Sequence, residues 1–264
     1  MRYSNSNNNS SNNSKYLIIG NGKLAKHIVH YFQLLDVPIR TWSRGEEGRE
    51  KISLIDKARG VETVLILIND SEIESFIKKN SFLVDKTLIH FSGAIFTDLA
   101  YGAHPLMTFG EVLYTLDFYQ KIPFVTDFKG LTFQELFPEF SNPSYPIDPA
   151  QKAYYHALCG IAGNFTSILW QKCFSEFKTK FSIERETLFP YMEAIFKNLM
   201  MNPEKALTGP FERKDFSTIS KHLQALKNND FLDIYKAFLK MTFKENEFID
   251  NAEVKFGDEK YENS

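Results

Sequence analysis

No run of apolar residues in this chain of 264 approaches the roughly 20 that a membrane-spanning helix needs, so an integral helical membrane protein is not expected. Cysteine is scarce. Cys159 and Cys173 fall in one expected helical stretch and have no metal-ligand spacing, which argues against a disulfide framework and against a metal module. Charge of one sign is also missing: 31 Lys and Arg face 33 Asp and Glu, for a net charge of -2. Without a basic block, neither nucleic acid nor an anionic membrane surface is an expected partner. The first residues lack the apolar core of a signal peptide. Taken together, these absences lead us to expect a cytoplasmic protein with no bound metal.

Apolar side chains are plentiful. They make up 43% of the chain, and Phe alone contributes 25 residues, enough for one large core or two modest ones. Aromatic-rich helices are therefore read first as core-facing.

Residues 1–14 are almost entirely Ser and Asn and have nothing to bury against the entropy of ordering, so they read as a disordered tail. Order is expected from Lys15. Tyr16-Leu17-Ile18-Ile19 is a short apolar run ending at Gly20, as a buried parallel strand would be. Leu24, Ala25, Ile28, Val29, Phe32 and Leu35 then recur at helical spacing. Further strands are expected at residues 37–42, 63–68, 86–91 and 122–126, with helices between them. Such alternation predicts a parallel sheet with helices on both faces. The Pro-containing stretch Asn142–Pro146 reads as a linker. Beyond it, helical patterns run over about residues 149–177, 183–202, 216–228 and 231–243. The expected organisation is a Rossmann-type α/β domain over residues 15–144 and an all-helical domain over 145–264.

Gly20-Asn21-Gly22-Lys23-Leu24-Ala25 fits Gly-x-Gly-x-x-Ala between a strand and a helix. The first glycine allows the tight turn, the second lets backbone approach a pyrophosphate, and Ala25 keeps the helix close to the sheet. Gly20 to Leu24 are thus the expected cofactor-binding residues, with phosphate at the helix N-terminus. An NAD enzyme usually places an acid about 20 residues further on, to bind the ribose hydroxyl. This chain has Ser43-Arg44 there instead, and no acid before Glu46. A hydroxyl and a guanidinium suit a 2′-phosphate, so NADP(H) is expected in preference to NAD(H). A solvated turn with Arg44 in water is the plainer alternative.

Other polar residues follow the strands. Asn69-Asp70 and Ser92-Gly93-Ala94 would flank the dinucleotide, or serve as ordinary turn residues. His104, fixed before Pro105, could give or take a proton near neutral pH, or be a structural imidazole. In the helical half, His156 and Asn164 are eight residues apart, roughly two turns, and Arg213 could hold a substrate carboxylate. Asp215 reads better as a helix cap.

These segments together resemble the Rossmann-like oxidoreductases that carry a C-terminal domain of unknown function, number 2520. The matching stretches are the glycine loop, Ile89–Ala94, His104-Pro105-Leu106, Tyr155-His156-Ala157 with Asn164, and Leu207–Pro210 through Arg213 and Asp215 to Thr218 and His222. More distantly the chain is similar to pyrroline-5-carboxylate reductases, 6-phosphogluconate and β-hydroxyacid dehydrogenases, and prephenate dehydrogenases. The resemblance implies an NADP-binding domain, a helical domain like the C-terminal domain of 6-phosphogluconate dehydrogenase that dimerises, and an active site between the two. By similarity to prephenate dehydrogenases it implies His104 as catalytic residue with Ser92 assisting. One position departs: where β-hydroxyacid dehydrogenases carry a lysine four residues before the asparagine matching Asn164, this chain has Gly160.

The expected function is an NADP-dependent oxidoreductase acting on a small, anionic carbonyl, imine or hydroxy compound. In that scheme His104, Ser92 and Asn164 do the chemistry, Asn69 joins the cofactor loops, and His156 and Arg213 hold substrate. A non-enzymatic NADP-binding sensor or scaffold is the alternative. A homodimer is the expected assembly.

Overall fold

The computed structural model describes residues 14–45, 53–127 and 130–244. The expected disordered tail, Ser14 apart, lies outside these residues, as does Glu46. The chain divides into two compact units, residues 1–172 and 173–264.

Unit 1 is built on a seven-stranded sheet of order β2-β1-β3-β4-β5-β6-β7. The strands are β1 (Tyr16–Ile19), β2 (Ile39–Trp42), β3 (Thr63–Ile66), β4 (Thr87–His90), β5 (Tyr101–Pro105), β6 (Phe124–Asp127) and β7 (Ser144–Ile147). The helices wound around them are α1 (Lys23–Leu34), α2 (Leu54–Ala58), α3 (Ile73–Lys79), α4 (Leu116–Lys121) and α5 (Phe133–Leu136). Strand β1 lies between β2 and β3, both parallel to it. The winding reverses there, which opens a crevice beyond the carboxyl ends of the strands.

Alternate residues of each strand feed separate cores. Tyr16, Ile18, Leu65 and Ile89 pack with Ala25, Ile28 and Phe32 of α1. Leu17, Ile19, Val64, Ile66 and Leu88 pack on the other face with Leu54 of α2 and Ile73 and Ile77 of α3. The phenylalanine surplus explains itself on the first face: Phe124, Phe133, Phe137 and Phe140 form an aromatic cluster, with Phe137 and Phe140 stacked at 4.9 Å. Each such buried ring contributes on the order of 2 kcal/mol.

The sheet edge departs from expectation. Strand β5, which the sequence reading leaves as a loop, contains Gly102 and Pro105, and neither is a strand former. Its glycine is nonetheless required. A Cβ at Gly102 would lie 2.5 Å from Asp127 Oδ2 and 2.6 Å from Lys152 Nζ, two side chains that form a 2.6 Å ion pair buried to 2% and 3% exposure. Strand β6 runs antiparallel to β5, so the sheet is parallel only through its first five strands. The Asn142–Pro146 stretch is not a linker. Ser144–Ile147 is β7, paired parallel with β6, and the expected domain boundary at 144/145 falls inside it. Pro146 is tolerated because β7 is an edge strand.

After β7 the described chain is helical. Helix α6 (Lys152–Cys159) runs into a π-helical segment (Gly160–Phe165) and then α7 (Thr166–Phe181), the last crossing into unit 2. Unit 2 adds α8 (Phe189–Met201), α9 (Gly209–Glu212), α10 (Phe216–Ala225) and α11 (Phe231–Thr242). Its small core gathers Ile219, Leu223, Leu239 and Phe243. Asp215 caps α10 by accepting from the Thr218 amide and hydroxyl, as its spacing predicts. The core-facing reading of aromatic residues fails along these helices: Phe165, Phe181, Phe189, Phe196 and Phe238 are exposed. Among the described residues, no helix is long and apolar enough to cross a membrane.

Candidate functional site

The turn from β1 into α1 is built around Gly20. Its φ of +128° suits glycine, and a Cβ there would sit 2.1 Å from the Leu67 carbonyl oxygen. The first glycine is thus forced by the approach of the chain leaving β3. Gly22 is different: a Cβ would meet nothing within 4 Å, so the space beside it is open. It also begins α1 with no side-chain cap and no acid in the first turn. The free N–H groups and the positive end of the helix dipole are left for an anion.

This turn forms one wall of a cleft of about 730 Å³. Gly20, Asn21, Gly22, Lys23 and Leu24 line it, as do Ser43, Arg44, Asn69 and Ser92. All the expected cofactor residues therefore meet in one space. Two buried polar atoms on its walls, Ser43 Oγ and Trp42 Nε1, have no hydrogen-bond partner among the described residues. Orphaned groups of this kind are costly unless a ligand or water satisfies them. Arg44 is exposed at the rim, Lys23 lies on the same wall, and Lys79 from the end of α3 adds a third cation that the sequence reading does not single out. Open backbone at a helix N-terminus, unpaired donors and flanking cations fit a phosphorylated dinucleotide.

The structure shows no hydrogen bond between Ser92 and His104. The Ser92 hydroxyl donates to Asp70 Oδ2 at 2.6 Å and accepts from the Ala94 and Ile95 amides, both at 3.2 Å. Its hydrogen-bonding capacity is used in fastening the loop after β4 to the loop after β3. His104, half-buried on β5, places Nδ1 2.8 Å from the Tyr155 hydroxyl. The His156 ring stands perpendicular to it at 5.6 Å. Gly93 fits between the imidazoles: a Cβ there would lie 2.7 Å from His156 Cδ2 and 3.0 Å from His104 Cδ2. Three segments, the loop after β4, strand β5 and helix α6, converge on this point.

Burial lowers the His104 pKa to about 4, helped by His156 and Lys152 and opposed by Asp70. The ring is neutral at pH 7. The Tyr155 hydroxyl is pushed well above the usual phenol range by burial and by its hydrogen bond with Cys159. Tyr155 lies in a stretch that the sequence singles out, yet its pairing with His104 could not be read from a separation of 51 residues.

Asn164 is exposed within the π-helical segment and has no side-chain hydrogen bond among the described residues. Eight α-helical steps would turn it about 80° from His156. The extra residue that a π bulge absorbs removes about 100°, leaving the two roughly 20° apart. Arg213 belongs to unit 2, where it is exposed at the end of α9, so the first unit's imidazole cluster forms without it.

Residues 129–242 match the family model described as a domain of unknown function, DUF2520. The chain carries a DUF2520 domain. That domain takes in α5, β7 and all the later helices described above, and leaves out the glycine loop. No curated protein matches the sequence. Several solved structures share the fold. A Bacteroides fragilis protein provisionally described as an NADP oxidoreductase is 17% identical, covers 88% of this chain and 99% of its own, and has a TM-score of 0.67. A reductive aminase from Aspergillus terreus, solved with NADPH and ethyl levulinate, is 11% identical, with coverage of 86% and 93% and a TM-score of 0.60. A 1-pyrroline-5-carboxylate reductase from Streptococcus pyogenes is 15% identical, with coverage of 86% and 95% and a TM-score of 0.56. Around the DUF2520 domain, then, the whole fold is of the Rossmann type with a helical C-terminal part.

Proposed function

We propose that this protein is an NADP(H)-dependent oxidoreductase acting on a small carbonyl, imine or hydroxy compound. One observation carries the reading: Ser92 lines the dinucleotide cleft, and its neighbour Gly93 lies against both His104 and His156. The cleft and the imidazole cluster are thus joined through a single loop. Two of the structural relatives described above act on imines or amines by their names, which supports that substrate class. Bound in this cleft, the nicotinamide would supply hydride.

The chain's own residues do the rest. The Gly22 turn holds pyrophosphate, and Ser43 with Arg44 selects the 2′-phosphate. Asn69 and Ser92 flank the nicotinamide half. His104 hydrogen-bonds the reacting oxygen or nitrogen, and His156 borders the substrate. Asn164 and Arg213 are assigned as a further polar contact and as the anchor for an anionic group. The working assembly is a homodimer, because Tyr154, Leu158, Ile161, Phe165 and Ile168 leave large apolar side chains exposed along one helical run.

The test is a panel of 2-oxo acids, cyclic imines and hydroxy acids followed by NADPH absorbance. Turnover of one class establishes the reading. Tight NADPH binding without any turnover would instead establish a non-catalytic sensor, the reading that Gly160 at the lysine position favours.

A further inference from the structure

We propose that Tyr155 is a positioning residue that locks neutral His104 in the tautomer carrying its proton on Nε2, making it a hydrogen-bond donor rather than a base. This rests on the reductase reading for its use, but not for its observation.

The argument begins with hydrogen-bond inventory. The Tyr155 hydroxyl has one proton and two neighbours, His104 Nδ1 at 2.8 Å and Cys159 one helical turn along. An imidazole nitrogen is a strong acceptor, whereas a thiol sulfur is a weak one. The proton therefore points at Nδ1 rather than at the Cys159 sulfur. With Nδ1 accepting, the single ring proton of neutral His104 must sit on Nε2.

The surroundings keep this arrangement in place. Burial, His156 and Lys152 all disfavour the imidazolium, with only Asp70 acting against them. The carbon edge of the ring, Cγ and Cδ2, takes up the space where a Cβ of residue 93 would lie, which leaves Nδ1 facing Tyr155. The Nε2–H is then a fixed, uncharged donor. Such a donor polarises a carbonyl or imine where charge develops, and it does not trap an anionic substrate as an imidazolium would. A histidine working as a base would need the opposite tautomer, with Nε2 bare. Ser92 has no capacity to set it, because its hydroxyl is already engaged with Asp70.

The test is long-range ¹H–¹⁵N correlation NMR on the full chain with ¹⁵N-labelled histidine. His104 is assigned among the six histidines by its loss in His104→Asn. We expect the wild type at pH 7 to show Nδ1 bare and Nε2 protonated. Tyr155→Phe should give averaged shifts from a mixture of tautomers, with the circular dichroism spectrum unchanged. Cys159→Ala should leave the wild-type pattern, since the sulfur does not take the Tyr155 proton. A wild-type Nδ1–H signal would overturn the proposal, and so would a Tyr155→Phe spectrum identical to wild type.

Activity is a separate arm. If the wild type turns over a substrate, Tyr155→Phe should lower kcat about tenfold while KM for NADPH stays the same. If the wild type turns over nothing, the reductase reading falls, and the tautomer is still decided by the spectra.

Discussion

Ser92 and Asp70, 22 residues apart, are joined by a 2.6 Å hydrogen bond from hydroxyl to carboxylate, and the same hydroxyl oxygen receives two backbone amides. The bond closes the loops after β3 and β4 onto each other, which fixes one wall of the cleft and the approach of Gly93 to the imidazoles. Ser92→Ala removes a charge-assisted bond and leaves two amides short of their acceptor. Unfolding free energy in urea should fall by about 2 kcal/mol. An unchanged midpoint would mean that the loops are held by something else.

Gly20→Ala should be the most damaging single change in the cofactor turn. The new methyl would overlap the Leu67 carbonyl, 2.1 Å away, at a backbone φ that only glycine adopts freely. NADPH fluorescence titration should show no binding, and the melting temperature should fall by several degrees, as for about 2 kcal/mol or more of strain.

Arg44→Ala should separate the two nicotinamide cofactors. Losing a charged partner of the 2′-phosphate weakens NADPH binding about tenfold or more and leaves NADH binding where it was. Calorimetric titration of both reads the ratio, and an unchanged ratio would remove Arg44 from the selecting pair. Lys79→Ala, at the same cleft, should reduce NADPH affinity by a smaller factor in the same sense.

Gly93→Ala tests the convergence of the two histidines. Its methyl must displace the His156 or the His104 ring. Turnover should fall by about tenfold or more through misplacement at the reacting centre, while NADPH affinity stays near wild type. Equal losses in both would point to general collapse of the loop.

The pH dependence follows from His104. Its folded pKa of about 4 lies below the ordinary histidine value of 6.5, so protons bind the unfolded chain more readily. The stability it contributes is fully present above pH 6.5 and is lost as pH falls from there toward 4. The total is about 3 kcal/mol at most. His104→Asn should flatten that part of the stability profile. The rate should show no inflection from this residue between pH 6 and 8, since the ring is neutral throughout.

How much of this was readable in advance depended on range. The glycine loop spans six residues, and its chemistry is local: a strand, a turn that only glycine closes, and a helix with apolar spacing. The place of Ser43 and Arg44 on the wall of the same cleft was legible for a similar reason, since their distance from the loop is set by one βαβ repeat. The edge of the sheet was not. Strand β5 holds Gly102 and Pro105 because a buried Asp127–Lys152 pair needs the room, a demand no local propensity encodes. Ser144–Ile147 reads as a linker for the same reason, its strand state being supplied by pairing with β6.

The sequence has no metal-ligand spacing between its cysteines, no basic block and no membrane-length apolar run. By itself the sequence determined the α/β core, its cofactor turn and the helical character of the second half, because each follows from nearest-neighbour periodicity. Only the tertiary structure decided the partners of the polar side chains. It assigned Ser92 to Asp70, gave His104 to Tyr155, and set Gly93 between two imidazoles, because hydrogen bonds and close packing between distant residues depend on where the backbone returns, not on spacing along it.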